Sequence, residues 1–156
     1  MSCKDRLEKY LRDNGVAFQV QHHARVFTAL EVAAAEHVPG KQLVKVVMTV
    51  ADGKAVMLAL PASYRVDRTK AAAVLGVTDV RLAAEQEFAA TFPDCEVGAM
   101  PPFGNLYDVP VWVDRSLAED ETIVFRAGTH TDTMSLEYRD YARLAKPNVA
   151  EFAVHL

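Results

Sequence analysis

Residues 43–60 read LVKVVMTVADGKAVMLAL. Two apolar runs, LVKVVMTV and AVMLAL, flank the dipeptide Asp52-Gly53. Asp-Gly between such runs is a strong hairpin signal, because both central positions of the favoured two-residue turn require positive φ. The stretch predicts an antiparallel hairpin. In its first strand Val44, Val46, Met48 and Val50 share one wholly apolar face, expected in the core. Lys45 shares the other face with Leu43, Val47 and Thr49. One cation on a mostly apolar strand face can line a pocket for an anion. It can equally be a solvent-facing lysine whose stem covers apolar neighbours.

Working outward, Ser2 can cap a helix running to about Asn14, with Leu7, Tyr10 and Leu11 on one face and Gly15 as its stop. Val16, Phe18 and Val20 alternate with other residues as a short strand would. Thr28 and Glu31 form a T-x-x-E capping box that opens the helix EVAAAEHV before Pro39-Gly40. After the hairpin, Asp67 can cap a helix through Ala71–Leu75, with Gly76 as its stop. A short strand near Val80–Leu82 leads to the helix EQEFAATF. Val109–Val113, Thr122–Arg126 and Thr133–Leu136 read as strands, and a helix across Tyr138–Ala145 ends before Pro147. No repeat, low-complexity segment or linker interrupts the order. The expectation is one α+β domain over residues 1–156, with a mixed, largely antiparallel, curled sheet and flanking helices.

The 156 residues are 51% hydrophobic and 24% charged, ordinary for a globular chain. No apolar run reaches the ~18 residues of a membrane span. The N-terminus, MSCKDRLEKYL, lacks the apolar core of a signal peptide, so a cytoplasmic location is expected. The formal net charge of -4 argues against wrapping a long nucleic-acid duplex, whose affinity rests on many phosphate contacts. It leaves room for a short nucleic-acid end held by a few local cations, for which Lys41, Lys45, Arg65, Arg68 and Lys70 are candidates. Cys3 and Cys95 are not a CxxC pair, and two thiols in a cytosolic chain are expected to be reduced.

Phosphate-loop signatures, GxSxG and HExxH are absent, so no metal or cofactor is expected. The adjacent His22 and His23 would point to opposite faces of a strand and could not chelate together. His130 follows the apolar strand TIVF and a glycine, a place where a histidine can sit at a site mouth or serve as a satisfied loop residue. Residues 98–104, GAMPPFG, combine permissive glycines with two prolines that fix φ and lack an N–H. The amides of Gly98, Ala99, Met100, Phe103 and Gly104 are then available, and a stiff turn displaying amides can stabilise an oxyanion. The alternative is a tight connection with Phe103 plugged into the core.

Three pieces therefore occur in order: Lys45 in LVKVVM, the loop Gly98 to Gly104, and Gly128-Thr129-His130, followed by a helix ending in RLAKP. The set resembles the YbaK family, which includes the editing domain inserted in bacterial prolyl-tRNA synthetases and its free-standing relatives. The likeness runs from HHARVFTALEVAAA to RLAKP. It implies hydrolysis of the ester joining a wrong amino acid to tRNA, most often the proline-specific one, with alanine, cysteine, serine or threonine as the wrong residue. It implies that Lys45 holds the terminal phosphate, and that Gly98, Ala99 and their neighbours Met100, Pro102, Phe103 and Gly104 receive the aminoacyl group. Gly128 and His130 correspond to the segment that shapes the amino-acid pocket, and Thr28 flanks it. The implied partners are an aminoacylated tRNA acceptor end and an aminoacyl-tRNA synthetase, with no membrane.

Two other readings compete. One is a non-catalytic module that binds an RNA end or a synthetase. The other is a thiol-dependent hydrolase using Cys95 with His130.

Overall fold

A computed structural model describes residues 1–156. The predicted hairpin is its centre: β2 (Val44–Ala51) pairs antiparallel with β3 (Lys54–Pro61) over eight residue pairs. Asp52 and Gly53 take φ of 46° and 84°, as the turn requires. The Asp52 carboxylate also accepts the amides of Thr78 and Asp79, at 3.1 and 2.9 Å.

Before the hairpin come α1 (Cys3–Asp13), β1 (Gln19–His22) and α2 (Ala29–Ala35). After it come β4 (Tyr64–Val66), α3 (Arg68–Leu75), β5 (Val80–Leu82) and α4 (Glu85–Thr91). The chain then runs through a 3-10 turn at Gly104–Tyr107 to β6 (Val111–Asp114), α5 (Arg115–Ala118), β7 (Thr122–Arg126), β8 (Asp132–Glu137), α6 (Tyr138–Ala145), β9 (Asn148–Ala150) and β10 (Ala153–His155).

The fold is α+β, and its strands divide into three sheets rather than one. The largest has the order β5-β2-β3-β6-β9, antiparallel around the hairpin and parallel at β3-β6 and β6-β9. The antiparallel sheet β1-β8-β7 meets it through a bridge between Leu43 and Val124, and β10-β4 forms a third pair. The first strand begins later than the alternation at Val16 suggests. The Val16 amide is taken by the Leu11 carbonyl at the end of α1, so pairing starts at Gln19. The helix opened by Thr28 ends at Ala35, and His37 turns the chain with φ 56°.

Both faces of the hairpin are packed, not one. Val44, Met48, Met57 and Ala59 face the main core with Leu7, Leu11, Phe103 and Phe125. Leu58, Leu60 and Ala51 face a second cluster with Ala71 and Phe152. Lys45 lies on this second face at its margin. β5 pairs only with Thr49–Ala51, so Val44–Val47 remain a free edge of the sheet.

Cys3 and Cys95 are joined in a disulfide, contrary to the expectation of two reduced thiols. The pairing follows from α1 docking on the loop before Gly98: Cys3 N–H donates to Asp94 O at 3.1 Å.

Candidate functional site

A cavity of about 290 Å³ opens along the free edge of β2. Its lining comes from four segments: Phe27, Thr28 and Ala29 at the start of α2, Val44 to Val47 on β2, Gly98 and Met100 in the glycine-proline loop, and Arg126 at the end of β7. Cavities of comparable volume occur elsewhere on the molecule, and this one is set apart by its lining. It brings Lys45, Thr28, Gly98 and Met100 together, although they are spread over some seventy residues of sequence.

Lys45 is half-buried, donates from Nζ to the Tyr64 carbonyl, and has no carboxylate partner. Burial alone pushes its ammonium below the usual lysine range. A desolvated cation without a counter-ion is a place for an anion to bind. The other cations expected to converge with it do not line the cavity. Lys41 pairs with Asp120 at 2.8 Å and Glu119 at 3.6 Å, and Arg68 donates Nε to Val80 O at 2.7 Å. Arg65 and Lys70 are exposed and lie outside the lining. The second cation of the cavity is Arg126, which sequence reasoning missed. A charge closing the apolar strand TIVF two residues before Gly128 was the available signal.

The loop divides into two halves. Phe103 is fully buried, edge-to-face with Phe125 and Tyr141 at 5.7 and 5.1 Å between centroids. The carbonyl of Pro102 accepts Tyr141 Oη at 2.8 Å. A Cβ on Gly104 would lie 2.6 Å from Val109 O, so this glycine answers to packing. Pro102, Phe103 and Gly104 are therefore packed into the core and do not line this cavity. Phe103 N–H is also spent, on Pro101 O at 2.8 Å.

The first half, Gly98 to Met100, shows an alternation along its peptides. Val97 O accepts His130 Nε2 at 2.7 Å. Gly98 O accepts Arg126 Nη1 at 2.7 Å, while Ala99 N–H donates to Glu96 O at 3.0 Å. Ala99 O accepts Gly128 N–H at 2.9 Å. The amides left without a protein acceptor are those of Gly98 and Met100. In a trans peptide the N–H points opposite to the C=O. Anchoring the carbonyls of residues 97 and 99 therefore aims the amides of residues 98 and 100 away from their anchors. Ala99, expected to be a donor, is buried with its N–H committed, so its part is to hold the turn.

Gly128 and His130 act through these same bonds. Gly128 has φ 94°, and a Cβ there would lie 2.7 Å from the Cys3 side chain, so Gly128 answers to that close approach and does not line the cavity. His130 is 6% exposed and packs against Phe27, with ring centroids 4.9 Å apart and planes tilted by 51°. Because a carbonyl only accepts, Nε2 carries a proton, and Nδ1 is buried without a partner. His130 also donates its backbone N–H to Glu96 at 3.2 Å.

Thr28 Oγ accepts Glu31 N–H at 3.1 Å and Thr28 N–H donates to the Glu31 carboxylate at 3.0 Å, the predicted capping box. Its side chain is fixed at the cavity rim with its own O–H proton free. Cys95 is not a nucleophile here, since its sulfur is bonded to Cys3, and this removes the thiol-hydrolase reading. Asp94 lies beside the pair, but the Arg6 guanidinium sits 3.8 Å from its carboxylate, and the two sulfurs are already spent on each other.

Residues 23–144 match the family described as aminoacyl-tRNA editing domain. No curated protein matches the chain. Among solved structures, a candidate trans-editing enzyme for prolyl-tRNA synthetase is 22% identical with a TM-score of 0.85, covering 99% of this chain and 98% of that one. A hypothetical protein is 20% identical with a TM-score of 0.85, covering 95% of this chain and 99% of that one. A protein from Marinobacter aquaeolei VT8, given a provisional role in signal transduction, is 18% identical with a TM-score of 0.75; the match spans 95% of this chain and 30% of that one. At these identities the structural likeness shows the fold alone. No helix is long and apolar enough to cross a membrane.

Proposed function

The chain belongs to the aminoacyl-tRNA editing domain family, and from that premise we propose that it is a trans-acting deacylase that hydrolyses mischarged tRNA. The substrate proposed is proline-specific tRNA carrying alanine, cysteine, serine or threonine. The working unit is the single domain of residues 1–156, with the acceptor end of the tRNA, and in the cell a synthetase, as partners.

The observation that supports this most is that Lys45 and Gly98 line one cavity. In the proposed complex the Lys45 ammonium holds the phosphate of the terminal nucleotide. The amides of Gly98 and Met100, free of protein acceptors, meet the ester carbonyl. Water adds to the acyl carbon, the carbonyl oxygen gains negative charge, and the bond to the ribose oxygen breaks. The amino acid leaves as a carboxylic acid, and the ribose oxygen recovers a proton. An aminoacyl ester is already activated, so placement and polarisation suffice. One well-aimed oxyanion donor contributes about 2.7–4 kcal/mol, and orientation contributes more. The apolar wall of Val44, Val46, Ala29 and Met100 offers a small side chain a dry seat.

The need for such an activity has a physical origin. One methylene in an apolar pocket is worth about 1–3 kcal/mol of discrimination, so a synthetase for a small amino acid makes errors that a second site must remove.

Deacylation of proline-specific tRNA, charged in turn with each small amino acid, tests the proposal. Multiple turnovers on at least one of them are expected. Stoichiometric binding without hydrolysis across the set would instead identify a binding module.

A further inference from the structure

Arg126 closes β7 at the cavity, half-buried and without a salt bridge. Burial pushes its guanidinium down from the usual range, with Glu31 opposing. The Glu31 carboxylate is itself engaged by the Thr28 amide. A guanidinium kept partly desolvated with so little compensation implies a task. Its one hydrogen bond, from Nη1 to Gly98 O at 2.7 Å, shows which.

The three carbonyls of residues 97 to 99 are each held by a different group. Val97 O is held by the His130 ring and Ala99 O by the Gly128 amide. Gly98 O lies between them, on an exposed glycine with φ 83°. Glycine visits either sign of φ readily, so the peptide after it can turn over where nothing holds it. Such a turn would withdraw Ala99 N–H from Glu96 and disturb the amides on both sides.

We propose that Arg126 is a positioning residue of the hydrolytic site: by gripping Gly98 O it locks the peptide between Gly98 and Ala99, and so keeps the amides of Gly98 and Met100 aimed at the substrate carbonyl. The effect on catalysis rests on the deacylase reading above, whereas the grip itself does not. The role belongs to the transition state, because a correctly held donor matters most as negative charge develops on the ester oxygen.

The test compares wild type with Arg126→Lys, Arg126→Gln and Arg126→Ala, on mischarged proline-specific tRNA and without substrate. The expected kinetic result for Arg126→Gln is a fall in kcat of about ten- to a hundredfold, the size of one charge-assisted hydrogen bond, with KM changed less than about threefold. Arg126→Lys, which retains a charged donor, keeps more of kcat, and free guanidinium ion at millimolar concentration partly restores Arg126→Ala. In the substrate-free arm, amide hydrogen exchange at Ala99 quickens in Arg126→Gln and stays near wild type in Arg126→Lys.

A rise in KM with kcat unchanged, steepening with salt, would overturn the proposal and make Arg126 an anion-binding residue. Unchanged Ala99 exchange in Arg126→Gln would overturn it as well. If wild type hydrolyses no aminoacyl-tRNA, the deacylase reading fails, and the exchange measurement still decides the grip.

Discussion

His130 Nε2 donates to the carbonyl of Val97 at 2.7 Å, from a ring that is 6% exposed, so the histidine of the G-T-H segment is tied to the loop that carries Gly98. Replacing it by alanine removes this bond and the ring against Phe27. The expected cost is about 1–3 kcal/mol, from one lost hydrogen bond and an unfilled space. At this chain length that lowers Tm by roughly 2–10 °C. Hydrolysis should fall further than stability does, because the Gly98 amide loses the anchor of its own peptide. Thermal unfolding beside single-turnover deacylation checks this, and equal activity at a reduced Tm would count against it.

Gly98 and Gly104 should respond to alanine for different reasons. Gly98 has φ 83°, and its added Cβ would stand 3.6 Å from His130 Cε1, an ordinary contact. The cost there is conformational, about 1–2 kcal/mol, and falls on the loop. Gly104→Ala would place a Cβ 2.6 Å from Val109 O and 2.8 Å from the Val111 side chain. That overpacks the core and should destabilise by about 1–3 kcal/mol or more. Gly98→Ala is expected to fold and hydrolyse poorly, and Gly104→Ala to lose Tm first.

These two glycines also mark what the sequence could and could not reveal. The Asp52-Gly53 turn, the Thr28 capping box and the helices at Asp67 and Tyr138 were legible, because each rests on local backbone chemistry. The core role of Phe103 was one of two open readings. That Ala99 would spend its amide on Glu96, or that Arg126 would replace Lys41, Arg65, Arg68 and Lys70 as the second cation, depends on contacts between distant segments. The Cys3–Cys95 bond, with a sequence separation of 92, was beyond local pattern for the same reason. The choice between the two readings of Lys45 stayed open because Phe152, in the cluster packed on that face, comes from the far end of the chain.

The disulfide should contribute to stability without contributing to the chemistry. Closing a loop of this length restricts the unfolded chain by about 4–5 kcal/mol in the chain-entropy treatment. Reduction with a dithiol, or Cys95→Ser, should lower Tm by roughly 10 °C or more. Cys95→Ser should still hydrolyse at a temperature where it is folded. An unchanged Tm on reduction, or an inactive folded variant, would contradict this.

Lys45 gives a pH dependence of definite sign. Burial holds its folded pKa below the unfolded one, so between the two values the unfolded chain binds more protons. The charged lysine therefore destabilises the fold at neutral pH, and the penalty is relieved as pH rises through the folded pKa toward the unfolded one. Lys45→Met should match or exceed wild type in Tm at neutral pH, with any gain vanishing at alkaline pH. Activity that needs the ammonium should decline with a midpoint below that of a free lysine. Unfolding curves and a pH-rate profile give both readings.

The central claim is that the Lys45 ammonium grips the terminal phosphate of a nucleic-acid end while main-chain amides of Gly98 and Met100 meet the acyl group in the same cavity. The direct test measures Lys45→Met against wild type on alanine-charged proline-specific tRNA and on alanyl-adenosine, which has the ester but no phosphate. The account predicts a loss of about 10- to 150-fold on the tRNA, the value of a charged hydrogen bond, and equal rates on the phosphate-free ester. Full activity of Lys45→Met on the tRNA, or the same loss on both substrates, would contradict it.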